Sequence, residues 1–137
     1  MKIIKGQSNT VVCTLLEKTT ISNPRYLFAF TSDEKHTTVY TLVGSELSTD
    51  TTRCNKFTIT ETTSPDYSAA EIELSEGEYS YNVFELTAVQ AAALDFEDID
   101  TSTYTNVEGA CVCRVYDTTN NAFTQYSTDT TNTVYQP

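Results

Sequence analysis

The chain has 137 residues, 39% of them hydrophobic, which is enough for one domain with its own core and no disulfide staple. The net charge is −11, and no Lys or Arg lies between Lys56 and Arg114 while acids crowd that span, which disfavours direct binding to nucleic acid. No stretch approaches the ~20 apolar residues of a membrane helix, and polar residues 6–10 interrupt the basic N-terminus before any signal-peptide core forms.

Residues 2–5 read as a first strand and residues 6–9, GQSN, as a turn. Residues 10–17, TVVCTLLE, follow as a second strand with Val11, Cys13 and Leu15 on one side and Val12 and Leu16 on the other. That two-sided pattern predicts cover on both faces, or on one of them by a partner. Asn23-Pro24 forces an extended start to residues 25–31, where Tyr26, Phe28 and Phe30 alternate with Leu27 and Ala29. A hairpin turn at 32–35 returns the chain as a strand over 36–43. His36, the single histidine, has no Cys, Ser or acid beside it in a catalytic motif, so it reads as an exposed residue where that strand begins. Residues 44–52 look like a loop, 53–60 resume strand alternation with a bulge near Asn55-Lys56, and 71–74 form a short strand.

Residues 74–86, LSEGEYSYNVFEL, organise the rest. Tyr79, Tyr81 and Val83 alternate with Glu78, Ser80 and Asn82, the period of a half-buried strand. The turn, Gly77 and Tyr79 match the corner of immunoglobulin-type sandwiches, where a Tyr hydroxyl bonds back to the backbone two residues before a half-disulfide cysteine. Tyr81 stands at that cysteine's position. Residues 86–94, LTAVQAAAL, have the only helix-forming composition. Asp98, Asp100 and Ser102 show the first spacings of an EF-hand loop, but Thr103 stands where Gly is required and Gly109 where the bidentate Glu belongs. The EF-hand reading fails, and an irregular cation loop at 95–100 is the open alternative. Residues 110–116, ACVCRVY, alternate again, residues 118–121 make a turn, and 122–127 can pair back as a hairpin. The last ten residues carry only Val134 and Tyr135 as apolar groups, so the tail is expected to dock through them.

Cys13, Cys54, Cys111 and Cys113 form neither a disulfide framework nor a C-x₂₋₄-C metal knuckle. They are expected to be reduced, small apolar residues, as in a protein assembled in cytoplasm. Acid pairs such as Glu71/Glu73 and Glu97/Asp98 arise by composition in so acidic a chain, and nothing marks one as buried or tuned for glycosidase chemistry. The expectation is therefore no catalytic residues, no cofactor and no metal. The sum is all-β: an immunoglobulin-like β-sandwich of about 7–8 strands with one short helix and extended termini. Residues 1–116 would form the sandwich core and 117–137 a C-terminal hairpin and extension.

Several segments together, KGQSNT, TLLEKTTISNPRYLFAFTSDE, RCNKFTITET, LSEGEYSYNVFE, RVYDTTNN and NTVYQP, resemble small virion structural proteins of tailed phages that infect Bacteroidetes, including the crAss-like phages. The resemblance runs nearly end to end. It implies a capsid-associated or other head-associated β-sandwich protein assembled in the host cytoplasm, without fixing the virion layer; the expected role is an auxiliary protein bound to the major capsid protein or supporting head fibres. It implies no enzyme and no catalytic residues. The expected partner is the major capsid protein or another virion protein, with a homo-oligomer as a further option, and no membrane. Lys2 and Lys5 at one end and Phe123, Tyr126, Val134 and Tyr135 at the other are the expected contacts. The competing reading is an adhesion module that uses exposed Tyr on a host surface or carbohydrate, against which most Tyr are expected to pack across strands.

Overall fold

The computed structural model describes residues 1–44 and 54–118. Eight strands fall in that range: β1 Lys2–Ile4, β2 Ser8–Cys13, β3 Arg25–Ser32, β4 Thr38–Val43, β5 Asn55–Glu61, β6 Glu71–Ile72, β7 Gly77–Leu86 and β8 Thr105–Tyr116. They form a five-stranded sheet in the order β1-β8-β7-β3-β4 and a three-stranded sheet in the order β2-β5-β6. Most neighbours are antiparallel, but β1 runs parallel to β8 and β6 parallel to β5. The fold is all-β.

The alternation in the sequence sets which side chains meet between the sheets. Phe28 and Phe30 of β3 and Tyr81 of β7 stack within the larger sheet, and Phe57 of β5 meets Phe28 edge-on at 6.0 Å and Tyr26 at 5.5 Å. Such pairs add about 0.5–1.5 kcal/mol each beyond their burial. Ile3, Val11, Leu15, Ile59, Ile72, Leu74, Val83 and Val115 complete the core.

Buried polar side chains fasten the loops around this core. Asn9 takes Ile4 N–H on its Oδ1 and donates to the Ile4 and Gln7 carbonyls, which ties β1 to β2 across the 5–7 turn. Glu61, 2% exposed, accepts from Gly6 N–H at 2.6 Å and Leu74 N–H at 3.2 Å, with Lys5 Nζ 3.5 Å away. Glu85, 1% exposed, accepts from the Thr20 and Ile21 N–H groups and the Thr20 hydroxyl. Ala70, in the left-handed region at φ 59°, donates to Leu42 O of β4 and accepts from Thr60 N–H of β5, which joins the two sheets on that side. Every buried polar side chain described has a partner.

Three expectations need correction. β2 stops at Cys13 and residues Leu16–Lys18 turn into a 3-10 helix, because Asn55 Oδ1 takes the N–H groups of Leu15 and Leu16 and leaves none for a ladder. Two-sided burial belongs to β3, where Leu27 and Ala29 are buried behind the Phe28 face, whereas Val12 of β2 is 57% exposed. His36 lies in the turn itself, with φ 56° and its N–H on Ser32 O, and the strand begins at Thr38. The first residues are held by β8: the Met1 ammonium donates to Val112 O and Arg114 N–H donates to Met1 O. The one short helix expected within residues 86–94 is Ala88–Ala92, and it starts in a capping box between Thr87 and Gln90.

Candidate binding surfaces

The 74–86 corner is a structural device. Gly77 has φ 143°, a value L side chains rarely adopt, and opens β7. Two residues on, the Tyr79 hydroxyl donates to Ser75 O at 3.0 Å and so closes the turn on itself. Tyr81, at the next inward position, pairs in register with Cys111 of β8. Its phenol is pushed well above its ordinary range, first by burial and then by the neighbouring thiols Cys13 and Cys111. Two register shifts between β7 and β8 flank the Val83–Glu108 pair, and the Cys111 thiol donates to Glu108 Oε1 at 3.2 Å. Burial and that carboxylate both raise the Cys111 thiol's pKa, and burial pushes Cys113 up to about 11. Thiols held protonated in this way are poor nucleophiles and poor metal ligands. All four sulfurs are unbridged, and no set of three His, Cys, Asp or Glu side chains among the described residues could hold a metal.

The acidic 95–100 segment is built as turns. Asp95 Oδ1 accepts from Glu97 N–H and Asp100 Oδ1 from Ser102 N–H. The Ser102 hydrogen bonds hold the Asp100 carboxyl below its usual range. Asp95 and Asp100 each cap their own turn, and among the described residues no three acids of this segment gather as a metal site.

Two open surfaces among the described residues bear on a partner. The first is the outer face of the larger sheet at β1 and β8. Lys2 and Arg114 stand opposite one another, as do Ile4 and Tyr116. Val112 is 65% and Tyr116 38% exposed, and the Lys2 ammonium sits 5.1 Å over the Tyr116 ring. Arg114 pairs with Glu78 on β7. Lys5 is placed differently, half-buried between Leu74 O at 2.7 Å and Glu61. Phe123, Tyr126, Val134 and Tyr135 lie outside the described residues, as does the expected 122–127 hairpin.

The second surface is a groove of about 410 Å³ beside the edge of β4, lined by Thr38, Val39, Tyr40, Tyr67, Phe96, Glu97, Asp98 and Ile99. The β7–β8 connection, residues 87–104, brings Phe96 onto Tyr67 with ring centres 6.0 Å apart. Sequence reasoning missed this groove, because nothing in 95–100 alone signals a long-range stack on Tyr67. Of the Tyr residues that might have faced a ligand, Tyr26, Tyr79 and Tyr81 are core, as their alternation implied.

Comparison with known proteins finds no matching family model, no matching curated protein and no matching solved structure.

Proposed function

We propose that the chain is a virion structural protein, an auxiliary protein that docks on the major capsid protein or supports head fibres and performs no chemistry. The observation that carries this reading is the use of its buried polar groups. Asn9, Asn55, Glu61 and Glu85 each bind backbone of another segment and so are used to hold the fold together. Such a molecule offers a partner a rigid surface. Lys2, Val112 and Tyr116 on the outer face of β1 and β8 supply exposed apolar area with a cation at its rim, the composition of a contact patch. The choice of a phage particle as the assembly rests on the sequence resemblance given above.

The finer fold belongs to the same proposal. The order β8-β7-β3 facing β2-β5 is that of the G-F-C and B-E strands of an immunoglobulin-like sandwich, and the Tyr79 bond to Ser75 O is that fold's corner. The chain departs from the pattern in having Tyr81 at the cysteine position and in β6 joining β5 in parallel.

Mass spectrometry of purified virions tests the function. The chain is expected at a fixed ratio to the major capsid protein, and its absence from intact particles would remove the proposal.

A further inference from the structure

The edge of β4 is half closed and half open. Ala70 N–H bonds to Leu42 O, and the Thr41 hydroxyl bonds to Glu71 O, so the 66–71 segment caps the second half of the strand. In an antiparallel ladder a residue's N–H and C=O point together, toward the partner strand or away from it, and alternate along the chain. Leu42 O faces outward, so the backbone groups of Tyr40 and Thr38 face outward too. The 2.9 Å contact between the Thr31 and Thr38 hydroxyls agrees, since side chains approach closest at positions that are not hydrogen-bonded across the pair. No partner for these outward groups is present among the described residues. The edge carries no Lys, Pro or bulge over Thr38–Val43, the usual means by which a protein protects such a strand.

The groove described above runs along this open half. Tyr40, Tyr67 and Phe96 give it aromatic walls, and Glu97 and Asp98 stand exposed at its rim. Neither acid makes an ion pair among the described residues, and the chain has no Lys or Arg of its own from 57 to 113 to answer them. The occupant that satisfies all three features is an extended segment that donates backbone hydrogen bonds and carries cations. We propose that the groove takes an extended, Lys- or Arg-bearing peptide segment of a partner protein, added as a strand to the Thr38–Tyr40 edge with its cations on Glu97 and Asp98. This is strand addition: the backbone gives the hold, and aromatic faces and carboxylates select a basic side chain. It does not rest on the β1–β8 face and stands whichever assembly the chain joins.

The probe is acetyl-Thr-Lys-Val-Lys-Thr-Lys-Val-amide with a fluorophore, titrated against the full chain by anisotropy. Two sister peptides carry N-methyl groups, one on the Lys residues and one on the residues between them. The alternating Lys residues fix which face of the peptide meets the acids, so methylation of one set should weaken binding about tenfold or more and methylation of the other should not. The exposed-residue variant E97Q/D98N should weaken the parent peptide to a similar extent, and raised salt should weaken it further. No binding of the parent peptide up to millimolar concentration overturns the proposal. Equal binding of both methylated peptides also overturns it, because charge attraction alone would then account for the complex. Displacement of the peptide by neutral oligosaccharides, with E97Q/D98N without effect, would make the groove a sugar site instead. Absence of the chain from virions would leave these outcomes unchanged, so failure of the virion reading and failure of this one are distinguishable.

Discussion

Glu61 should be the most costly surface-type residue to remove, because the fold has buried it. Replacing it with Ala deprives Gly6 N–H and Leu74 N–H of their acceptor at 2.6 and 3.2 Å and leaves Lys5, 3.5 Å away, without its carboxylate. A hydrogen bond to a charged group contributes about 1.5–3 kcal/mol, and breaking a buried pair by deleting one partner costs about 3–5 kcal/mol. The two figures overlap, and the Lys5 side chain is 27% exposed and keeps its bond to Leu74 O, so it recovers part of the loss in water. The expected destabilisation is about 3 kcal/mol, at the low end of that range. With a urea slope of about 1–3 kcal/mol/M, the unfolding midpoint should fall by at least about 1 M at an unchanged slope. Glu61→Gln keeps one acceptor oxygen and the volume, and should lose roughly half as much. A Glu61→Ala loss below about 1 kcal/mol would place the carboxylate in water and refute the view that it clamps the β1–β2 turn to the segment ahead of the corner.

Other outcomes follow from the same contacts. Tyr79→Phe removes the hydroxyl on Ser75 O and should cost about 1 kcal/mol by urea unfolding; a neutral change would mean the corner holds without it. Phe57→Ala deletes the ring that the larger sheet's aromatics pack against and should cost about 3–5 kcal/mol, with a value under 2 showing the core collapses around the gap. Burial raises the Cys113 thiol from 9.0 to about 11, so the folded state holds its proton more tightly than the unfolded chain. That contribution to stability is complete below pH 9 and is lost as pH rises through 11. Thermal midpoints should therefore fall across that interval, less so in Cys113→Ala relative to its own value at pH 8, and equal slopes in both proteins would contradict the assignment. Limited proteolysis should leave residues 1–13 intact, since β1 is laddered to β8; early cleavage there would contradict the pairing.

The parts of the fold that could be read in advance are those where one strand's own alternation decides the outcome. Tyr79, Tyr81 and Val83 face inward because a half-buried strand alternates, and the same holds for Cys113 and Val115 against Val112 and Arg114. The corner was legible because its parts sit within five residues. What escaped is set by distant partners. The end of β2 depends on the Asn55 side chain, forty residues away from Leu15. The parallel union of β1 with β8 joins the two ends of the described chain, and no local pattern announces such a pairing. Two-sided apolarity was visible in both 10–17 and 25–31, but what lies over each sheet face decides which is covered, and Leu27 and Ala29 are buried while Val12 is not. Glu61 looked like one more member of an acidic face until Gly6 and Leu74 were brought to it. The β4 groove needed Phe96 and Tyr67, whose stack spans two separate loops.

The proposal that this domain acts through its outer surface as a fixed part of a larger particle is tested most directly by lysine-directed cross-linking of intact virions, read by mass spectrometry. Links from Lys2, beside Tyr116 and Val112, to the major capsid protein or a head-fibre protein are the predicted result. Particles in which this chain is found but Lys2 links only within its own chain, or particles that lack the chain, would contradict it.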